Sequence, residues 1–256
     1  MTIIQNKPVI GILGGCGPLA TLDIENKLLS TMSVLLSTTK DQDYYPMIIF
    51  QSTQLSDRNQ IKKQNNYILR KQLKLGIEKL ILCKVDIILV ACQSAHVFLD
   101  LSITKNVQFV NMIDTTVSKL MLNLPNLKRV GLLATDILCQ SNLYQQKLQT
   151  YNIEVITPPR NLQEQLMKLI YVIKAQGTNV SSIKTINPMQ QLEVLIDHMQ
   201  QRNCDGIILG CTELPLLLSK IKPKQREIII DPNQLCAEEV IFIAQKLEQS
   251  NVCVHV

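Results

Sequence analysis

The chain is poor in aromatic and charged residues and has no tryptophan. Of its 256 residues, 4% are aromatic and 18% are charged, and the net charge is a mild +5. Its Lys and Arg residues are scattered, so the basic stripe that nucleic-acid binding requires is missing. No apolar run approaches the roughly 18 residues of a membrane span. The first one, residues 9–13, is too short for a signal peptide and meets Gly and Pro at once. We therefore expect a cytoplasmic protein that binds neither nucleic acid nor membrane.

The eight cysteines lack the spacings that metal sites use. They contain no C-x-x-C pair, which leaves zinc or iron–sulfur ligation with little support. A disulfide framework is not expected either, because the chain is long, 46% apolar and shows no export signal. Five of the cysteines are interpreted as small buried apolar side chains, namely Cys83, Cys139, Cys204, Cys236 and Cys253.

What the chain does contain is a repeated design around two other cysteines. Residues 205–215 read D-G-I-I-L-G-C-T-E-L-P, and residues 85–96 read V-D-I-I-L-V-A-C-Q-S-A-H. In each stretch an aspartate stands six residues before a cysteine, Cys92 or Cys211. The distance from Gly11 to Cys92 is 81 residues, and that from Gly131 to Cys211 is 80. The spacing predicts two duplicated halves, each of which delivers one cysteine from the end of a strand.

Strands that alternate with helices predict an α/β protein with two similar, pseudo-duplicated parallel-sheet domains and an active site in the cleft between them. The first domain is predicted to comprise residues 1–122 plus 222–256 and to carry Cys92. The second comprises residues 123–221 and carries Cys211. The last strand and helix, residues 227–230 and 233–249, are expected to return to the first domain. Other helices are predicted at residues 21–37, 115–122, 141–150, 162–175 and 188–202, with a polar loop at residues 176–187.

The glycine turn at residues 15–20, G-C-G-P-L-A, satisfies a loose dinucleotide-binding pattern. That pattern also needs an acidic residue at the end of the second strand, which here ends Phe50-Gln51-Ser52. We therefore interpret the turn, and Gly15 in it, as a place where backbone N–H groups approach an anion at a helix start.

Five motifs together resemble the aspartate racemase branch of the aspartate/glutamate racemase superfamily. They are I-G-I-L-G-G-C-G-P-L-A-T, S-D-R-N, A-C-Q-S-A-H, G-L-L-A-T-D and L-G-C-T-E-L-P-L-L, and they follow the family order over nearly the whole chain. Glutamate racemases typically carry G-C-T-H at the second cysteine, where this chain has Gly210-Cys211-Thr212-Glu213. The resemblance implies a cofactor-independent racemase of aspartate that forms a homodimer, and no lysine motif for pyridoxal phosphate is evident.

The resemblance also implies roles for individual residues. A thiolate and a thiol on opposite faces of an amino-acid Cα can exchange its proton, which assigns Cys92 and Cys211 as opposed acid/base groups. Arg58 and Lys174 match the family's cationic partners for the substrate carboxylates. Four further residues match polar substrate contacts, namely Gln93, Ser94, Thr135 and Thr212.

Two positions depart from the family pattern. Gln93-Ser94 stands where the family usually has Asn-Thr, and Cys16 stands where it usually has Met. Several alternatives stay open at this point. His96 could assist Cys92 or be structural, and Glu213 could orient a group at the second thiol or only favour a helix start. Asp86 and Asp205 are interpreted as turn formers.

Two other functions also remain open at this point. The protein could racemise glutamate or a broader set of amino acids. It could also have become a diverged dicarboxylate-binding protein with little catalysis.

Overall fold

The computed structural model describes residues 7–58, 66–104, 106–176, 187–220 and 226–253. Asn59 of the S-D-R-N motif and most of the predicted polar loop lie outside these residues.

The first half of the chain forms a four-stranded parallel sheet with the order β2-β1-β3-β4. Its strands are β1 (Ile10–Gly14), β2 (Met47–Gln51), β3 (Ile87–Val90) and β4 (Gln108–Val110). Helices α1 (Pro18–Leu35) and α2 (Asn66–Leu82) cover opposite faces of the sheet. The central strands are therefore apolar on both faces: Ile87 and Leu89 of β3 pack on the α1 side, and Ile88 and Val90 on the α2 side.

The second half repeats this sheet with the order β6-β5-β7-β8, again all parallel. Its strands are β5 (Arg129–Ala134), β6 (Glu154–Ile156), β7 (Gly206–Gly210) and β8 (Ile229–Ile230). Its helices are α4 (Asp136–Ser141), α5 (Leu143–Gln149), α6 (Arg160–Gln176) and α7 (Pro188–Gln201). Two similar parallel α/β halves are confirmed. The helix predicted for residues 141–150 corresponds to α5, whereas α4 was not predicted; Asn142, with a left-handed φ of 58°, separates the two.

The halves exchange helices. Helix α3 (Met112–Asn123) follows the first sheet but packs on the second, where Ile113 and Val117 join the cluster around Val130. Helix α8 (Pro232–Cys253) follows the second sheet but packs on the first, where Val240 and Ile241 join the cluster around Ile10. Two further α8 residues, Cys236 and Ala244, lie in the same cluster. Helices α3 and α8 also pack against each other.

Strand β8 belongs to the second sheet, where Ile229 and Ile230 pair with Ile207 and Ile208 of β7. The expectation that the last strand would return to the first half is therefore wrong, and only the helix after it does so. The division into domains at residues 122 and 222 stays a prediction.

The two repeated aspartates connect neighbouring strands. Asp86 Oδ2 accepts the N–H of Val9 at 2.7 Å, and Asp205 Oδ2 accepts those of Lys128 and Arg129, each at 2.9 Å. Their carboxylates therefore fix where the adjacent strand begins, beyond the turn-forming role expected from sequence. In the part of the chain that the structure describes, no helix combines the length and the apolar character needed to cross a membrane.

Candidate active site

The candidate site lies where the carboxyl ends of the two sheets meet. Because parallel strands end at the same edge, β1, β3, β5 and β7 deliver Cys16, Cys92, Thr135 and Cys211 to a common region. Hydrogen bonds join the halves here. Ser94 Oγ lies 2.7 Å from Thr135 Oγ1, and Gln93 Nε2 donates to the Leu209 carbonyl at 2.9 Å.

Cys92 is the more acidic of the two cysteines singled out by the sequence. It lies two residues after β3, is the N-cap of a short 3-10 helix (Gln93–Val97) and is 6% exposed. The neighbouring Cys16 side chain lowers the pKa of Cys92 to about 6, against the opposing effect of burial. The positive charges of Arg58 and Lys174 lower it further. The Cys92 side chain and burial raise the pKa of Cys16. These surroundings favour the thiolate form of Cys92 and the thiol form of Cys16.

The surroundings of Cys211 favour the protonated thiol instead. It follows β7 directly and is 4% exposed, and its Sγ donates to Glu213 Oε2 at 2.9 Å. Burial and the negative charge of Glu213 raise its pKa well above the ordinary value, although Lys174 opposes them. Cys211 is therefore a thiol at neutral pH, and the two cysteines differ in the protonation state that their surroundings favour.

Arg58 is held in the site by backbone carbonyls. Its Nη2 donates to the Cys16 carbonyl at 2.6 Å and its Nη1 to that of Ser56 at 3.3 Å. Burial lowers the pKa of Arg58, but the surrounding negative charges, that of Cys92 foremost, raise it above its ordinary value. Within the described residues, its buried Nε has no hydrogen-bond partner. The guanidinium thus stays charged and keeps one donor for a further acceptor.

Lys174 and Glu213 form an ion pair beside Cys211. Lys174 Nζ lies 3.5 Å from Glu213 Oε1 and donates to the Cys16 carbonyl at 3.4 Å. Burial lowers the pKa of Lys174, but Glu213 and the two cysteines outweigh it and raise the pKa overall. Thr212 Oγ1 donates to Glu213 Oε2 at 3.2 Å. These contacts support an orienting role for Glu213 over a role at a helix start alone.

Gly17 provides the space for that carboxylate. A Cβ on Gly17 would lie 2.0 Å from Glu213 Oε1, so only glycine leaves room for the side chain as it stands. Gly17 and Glu213 come from different halves of the chain, and their contact crosses the cleft.

Two predicted substrate contacts are already bonded within the protein. The Gly15 N–H donates to Thr21 Oγ1 at 3.1 Å, so it does not offer the free anion contact expected from sequence. Gly15 instead has a φ of +87°, and its Cα approaches the backbone of Ser52 too closely for a Cβ. The amide of Gln93 is buried, donates to Leu209 and accepts from the Tyr144 hydroxyl at 2.7 Å. Gln93 therefore connects the two halves.

His96 supports the backbone of Cys92. Its Nε2 accepts the Met112 N–H at 3.1 Å, which leaves the proton on Nδ1 to donate to the Cys92 carbonyl at 2.9 Å. Burial lowers the pKa of His96 to about 4, so the ring is neutral at neutral pH. Both nitrogens are engaged away from the Cys92 sulfur, and the structural alternative for His96 is the one that fits.

Sequence reasoning missed the partners of the site residues. Asn233 Nδ2 donates to the Thr212 carbonyl at 3.1 Å and to Asp23 Oδ2 at 2.8 Å, which ties the second half to α1 through α8. Tyr144 and the Cys16 thiol were also missed as partners. The only sequence feature that pointed to either of them was the cysteine at position 16, where the family usually has Met. Within the described ranges, no group of three or more His, Cys, Asp or Glu side chains is arranged to hold a metal ion.

Comparisons with known proteins agree with this arrangement. The broad specificity amino-acid racemase RacX of Bacillus subtilis (strain 168) is 27% identical over 245 residues, 91% of this chain and 96% of that one. The structure of an aspartate racemase from Picrophilus torridus superposes with a TM-score of 0.74 at 29% identity, covering 93% of this chain and 94% of that one. A glutamate racemase from Francisella tularensis subsp. tularensis SCHU S4, solved with D-glutamate, superposes with a TM-score of 0.65 at 20% identity and shares the fold. This superposition covers 96% of this chain and 83% of the glutamate racemase.

The sequence model of Asp/Glu/Hydantoin racemases matches residues 13–240, which include every residue of the candidate site. This protein belongs to the Asp/Glu/Hydantoin racemase family and is an isomerase of the racemase type.

Proposed function

We propose that this protein interconverts L- and D-aspartate without a cofactor, with Cys92 and Cys211 as the catalytic residues. The observation that carries the proposal is a pair of buried cysteines at equivalent strand ends of a duplicated fold, in surroundings that lower the pKa of Cys92 and raise that of Cys211. A racemase without a cofactor needs a base on one face of Cα and an acid on the other. Lys174 acts on the pKa of both cysteines, which supports their sharing one small site.

In the proposed reaction, the Cys92 thiolate removes the α-proton while the Cys211 thiol donates a proton from the opposite face. Each turnover leaves the two cysteines with exchanged protonation states, so the same site then accepts the other enantiomer. The α-proton is a far weaker acid than a thiol, and the carbanion that forms needs electrostatic stabilisation. Arg58 and Lys174 supply two buried or half-buried positive charges for that purpose.

Glu213 acts in this scheme as a positioning residue for Cys211. Its Oε2 accepts the Cys211 S–H at 2.9 Å and so directs the proton of that thiol. After Cys211 has given up its proton, its thiolate lies beside the negative Glu213, and the positive Lys174 offsets part of that repulsion. The repulsion favours reprotonation of Cys211, which returns the enzyme to its resting form.

The choice of aspartate rests on the two cations and on the similarity to an aspartate racemase. A guanidinium binds one carboxylate through paired hydrogen bonds. Among the residues that the structure describes, Arg58 Nε has no partner, so it can donate such a bond. A second candidate is a broader substrate range. It is favoured by the similarity to RacX and by the pairing of Lys174 with Glu213, which leaves less charge for a substrate side chain.

Chiral analysis of products from L-aspartate, L-glutamate and L-alanine in heavy water tests the proposal. We expect D-aspartate as the main product, with deuterium at Cα because the returning proton comes from the solvent-exchanged thiol. Activity should survive dialysis against EDTA and a carbonyl scavenger. Comparable rates on all three amino acids would favour the broad range. Binding of aspartate without racemisation would identify a diverged dicarboxylate-binding protein.

A further inference from the structure

Cys16 is a second thiol in the same buried cluster as Cys92, and the proposed reaction does not use it. We propose that Cys16 and Cys92 are a redox pair: a hydroperoxide oxidises Cys92, Cys16 captures it as a disulfide, and the racemase is switched off reversibly. The switch rests on the proposed function in one respect, namely that Cys92 is a catalytic acid/base.

The fold brings the two sulfur atoms together. Cys16 and Cys92 follow the adjacent strands β1 and β3, where Leu13 pairs with Val90 and the Ala91 N–H donates to the Leu13 carbonyl at 2.9 Å. The two side chains lie in the same buried cluster. Neighbouring strands run about 4.8 Å apart, and disulfide-bonded residues have Cα atoms about 4.4–6.8 Å apart. The spacing of adjacent strand ends therefore lies within the range that a disulfide spans.

The backbone of Cys16 is held in place for this reaction. Its carbonyl accepts from Arg58 Nη2 at 2.6 Å and from Lys174 Nζ at 3.4 Å. The same two cations stabilise the Cys92 thiolate, which is the form of a cysteine that attacks a peroxide. A hydroperoxide is no larger than the amino acid that must reach Cys92, so any motion that admits the substrate admits the oxidant.

The chemistry balances in two steps. The Cys92 thiolate attacks one oxygen of the hydroperoxide and the O–O bond breaks. Cys92 becomes a sulfenic acid, and the leaving oxygen takes up a proton as an alcohol, or as water when the oxidant is hydrogen peroxide. The Cys16 sulfur then attacks the sulfenic sulfur as its own proton leaves. The S–O bond breaks, the S–S bond forms, and the departing hydroxide and the proton make water. Two thiols lose two electrons in total, and a dithiol reductant returns them.

Cys211 is a poorer partner for Cys92. Its S–H donates to Glu213 and it follows a strand of the other sheet. Position 16 decides the outcome, because a methionine there has no thiol to capture a sulfenic acid. Without capture, Cys92 proceeds to the sulfinic acid, which a dithiol does not reduce.

The test treats the reduced full-length protein with hydrogen peroxide and compares wild type with Cys16→Met and Cys16→Ser. Cys83→Ser serves as the control, because Cys83 is an exposed thiol beyond the site. Intact mass and peptide mapping report the chemistry, and racemisation before and after dithiothreitol reports the switch. In wild type and Cys83→Ser we expect a loss of about 2 Da at the Cys16–Cys92 peptide pair, with activity restored by the dithiol. In both Cys16 variants we expect a gain of about 32 Da on Cys92 and permanent inactivation.

Mass and peptide mapping separate the outcomes without reliance on activity alone. A Cys92–Cys211 disulfide, a sulfinic Cys92 in wild type, or a reversible inactivation that persists in both Cys16 variants would overturn the switch. A mapped Cys16–Cys92 disulfide in a protein that racemises none of the amino acids tried would retain the redox pair and reject the proposed function instead.

Discussion

At the scale of single residues, Cys92 and Cys211 differ in what surrounds each sulfur. Cys92 lies beside the Cys16 side chain and the positive charges of Arg58 and Lys174, whereas Cys211 donates a hydrogen bond to a carboxylate. The first environment favours a thiolate and the second favours a thiol. A duplicated fold has thus placed equivalent cysteines in opposite environments, as the proposed base and acid require.

This difference predicts distinct pH profiles for the two alanine variants. Cys92→Ala and Cys211→Ala should each lose racemisation by at least about 10²–10⁴-fold, the usual contribution of one positioned acid or base. Each should still exchange the α-proton of one enantiomer in heavy water. In Cys211→Ala, exchange should rise as the pH increases through about 6, because the thiolate of Cys92 forms there. In Cys92→Ala, it should need a more alkaline pH, because burial and Glu213 raise the pKa of Cys211.

Nuclear magnetic resonance of the Cα–H signal measures this exchange directly for each enantiomer. Equal pH profiles in the two variants, or racemisation by either at a tenth of the wild-type rate, would show that the two thiols do not have the assigned roles.

Gly17→Ala tests Glu213 without altering that residue. The backbone of Gly17 is extended, with a φ of −168°, so alanine brings no backbone strain. The added Cβ would meet Glu213 Oε1 and force the carboxylate away from Lys174 and Cys211. We expect kcat to fall about 10²-fold, the typical effect of a displacement of about 1 Å in a site of this kind. The far-UV circular dichroism spectrum should not change.

A rescue variant separates this effect from general damage. The shorter carboxylate of Glu213→Asp leaves room for the new Cβ, so the double variant should recover part of the lost kcat. If Gly17→Ala kept the wild-type rate and pH profile, Glu213 would have no positioning role.

At the scale of elements, the 3-10 helix after Cys92 is connected to β7 by Gln93. Asparagine is shorter by one C–C bond, about 1.5 Å, and cannot reach both Leu209 and Tyr144 from the same backbone. Gln93→Asn should therefore leave buried polar groups unpaired and lower the free energy of unfolding by about 1–3 kcal/mol. Urea denaturation followed by circular dichroism measures the change.

Tyr144→Phe is the matched control for Gln93→Asn. It removes one partner of the same network, so the two changes should be less than additive in the double variant. A stable Gln93→Asn with faster aspartate racemisation would mean that the amide contacts substrate, as the resemblance implied.

Sequence patterns predicted where the helices and strands lie better than they predicted the contacts between them. Buried strands such as β3 and β7 are continuous apolar runs, and their ends located Cys92 and Cys211. Arg58 and Lys174 came from motif resemblance, and the structure brings both to the Cys16 carbonyl. Apolar periodicity shows which face of a helix is buried but not which sheet it covers. The return of α8 to the first sheet was therefore predicted from the repeat, whereas the packing of α3 on the second sheet was not. The Tyr144–Gln93 bond was missed for the same reason, because no local pattern encodes a contact between distant positions.

At the scale of the whole molecule, we expect the exchanged helices to make the two halves one cooperative unit. Ile241 of α8 is fully buried in the core of the first half, and Ile241→Ala should destabilise the protein by about 2–5 kcal/mol. Because α8 packs on α3, and α3 covers the second sheet, both sheets should lose stability together.

Hydrogen exchange resolved by peptide measures both sheets in one experiment, since the chain has no tryptophan to report on either. Phe242→Ala changes an exposed neighbour on the same helix and should have a much smaller effect. Faster exchange confined to the first sheet would show that the halves unfold independently. The homodimer and the cytoplasmic location implied by the sequence stay predictions, and sedimentation velocity measures the former.

The position of α8 in the chain also has a consequence for synthesis on the ribosome. Helix α8 shares with α1 the cover of one face of the first sheet, and it is translated after the second half. Until it emerges, Ile10, Ile12 and Leu89 lack the apolar partners that α8 supplies. A nascent chain released or stalled before Pro232 therefore presents a partly uncovered apolar sheet face, the type of surface that chaperones bind and that promotes aggregation. The first half to be translated is in this way the last to be completed.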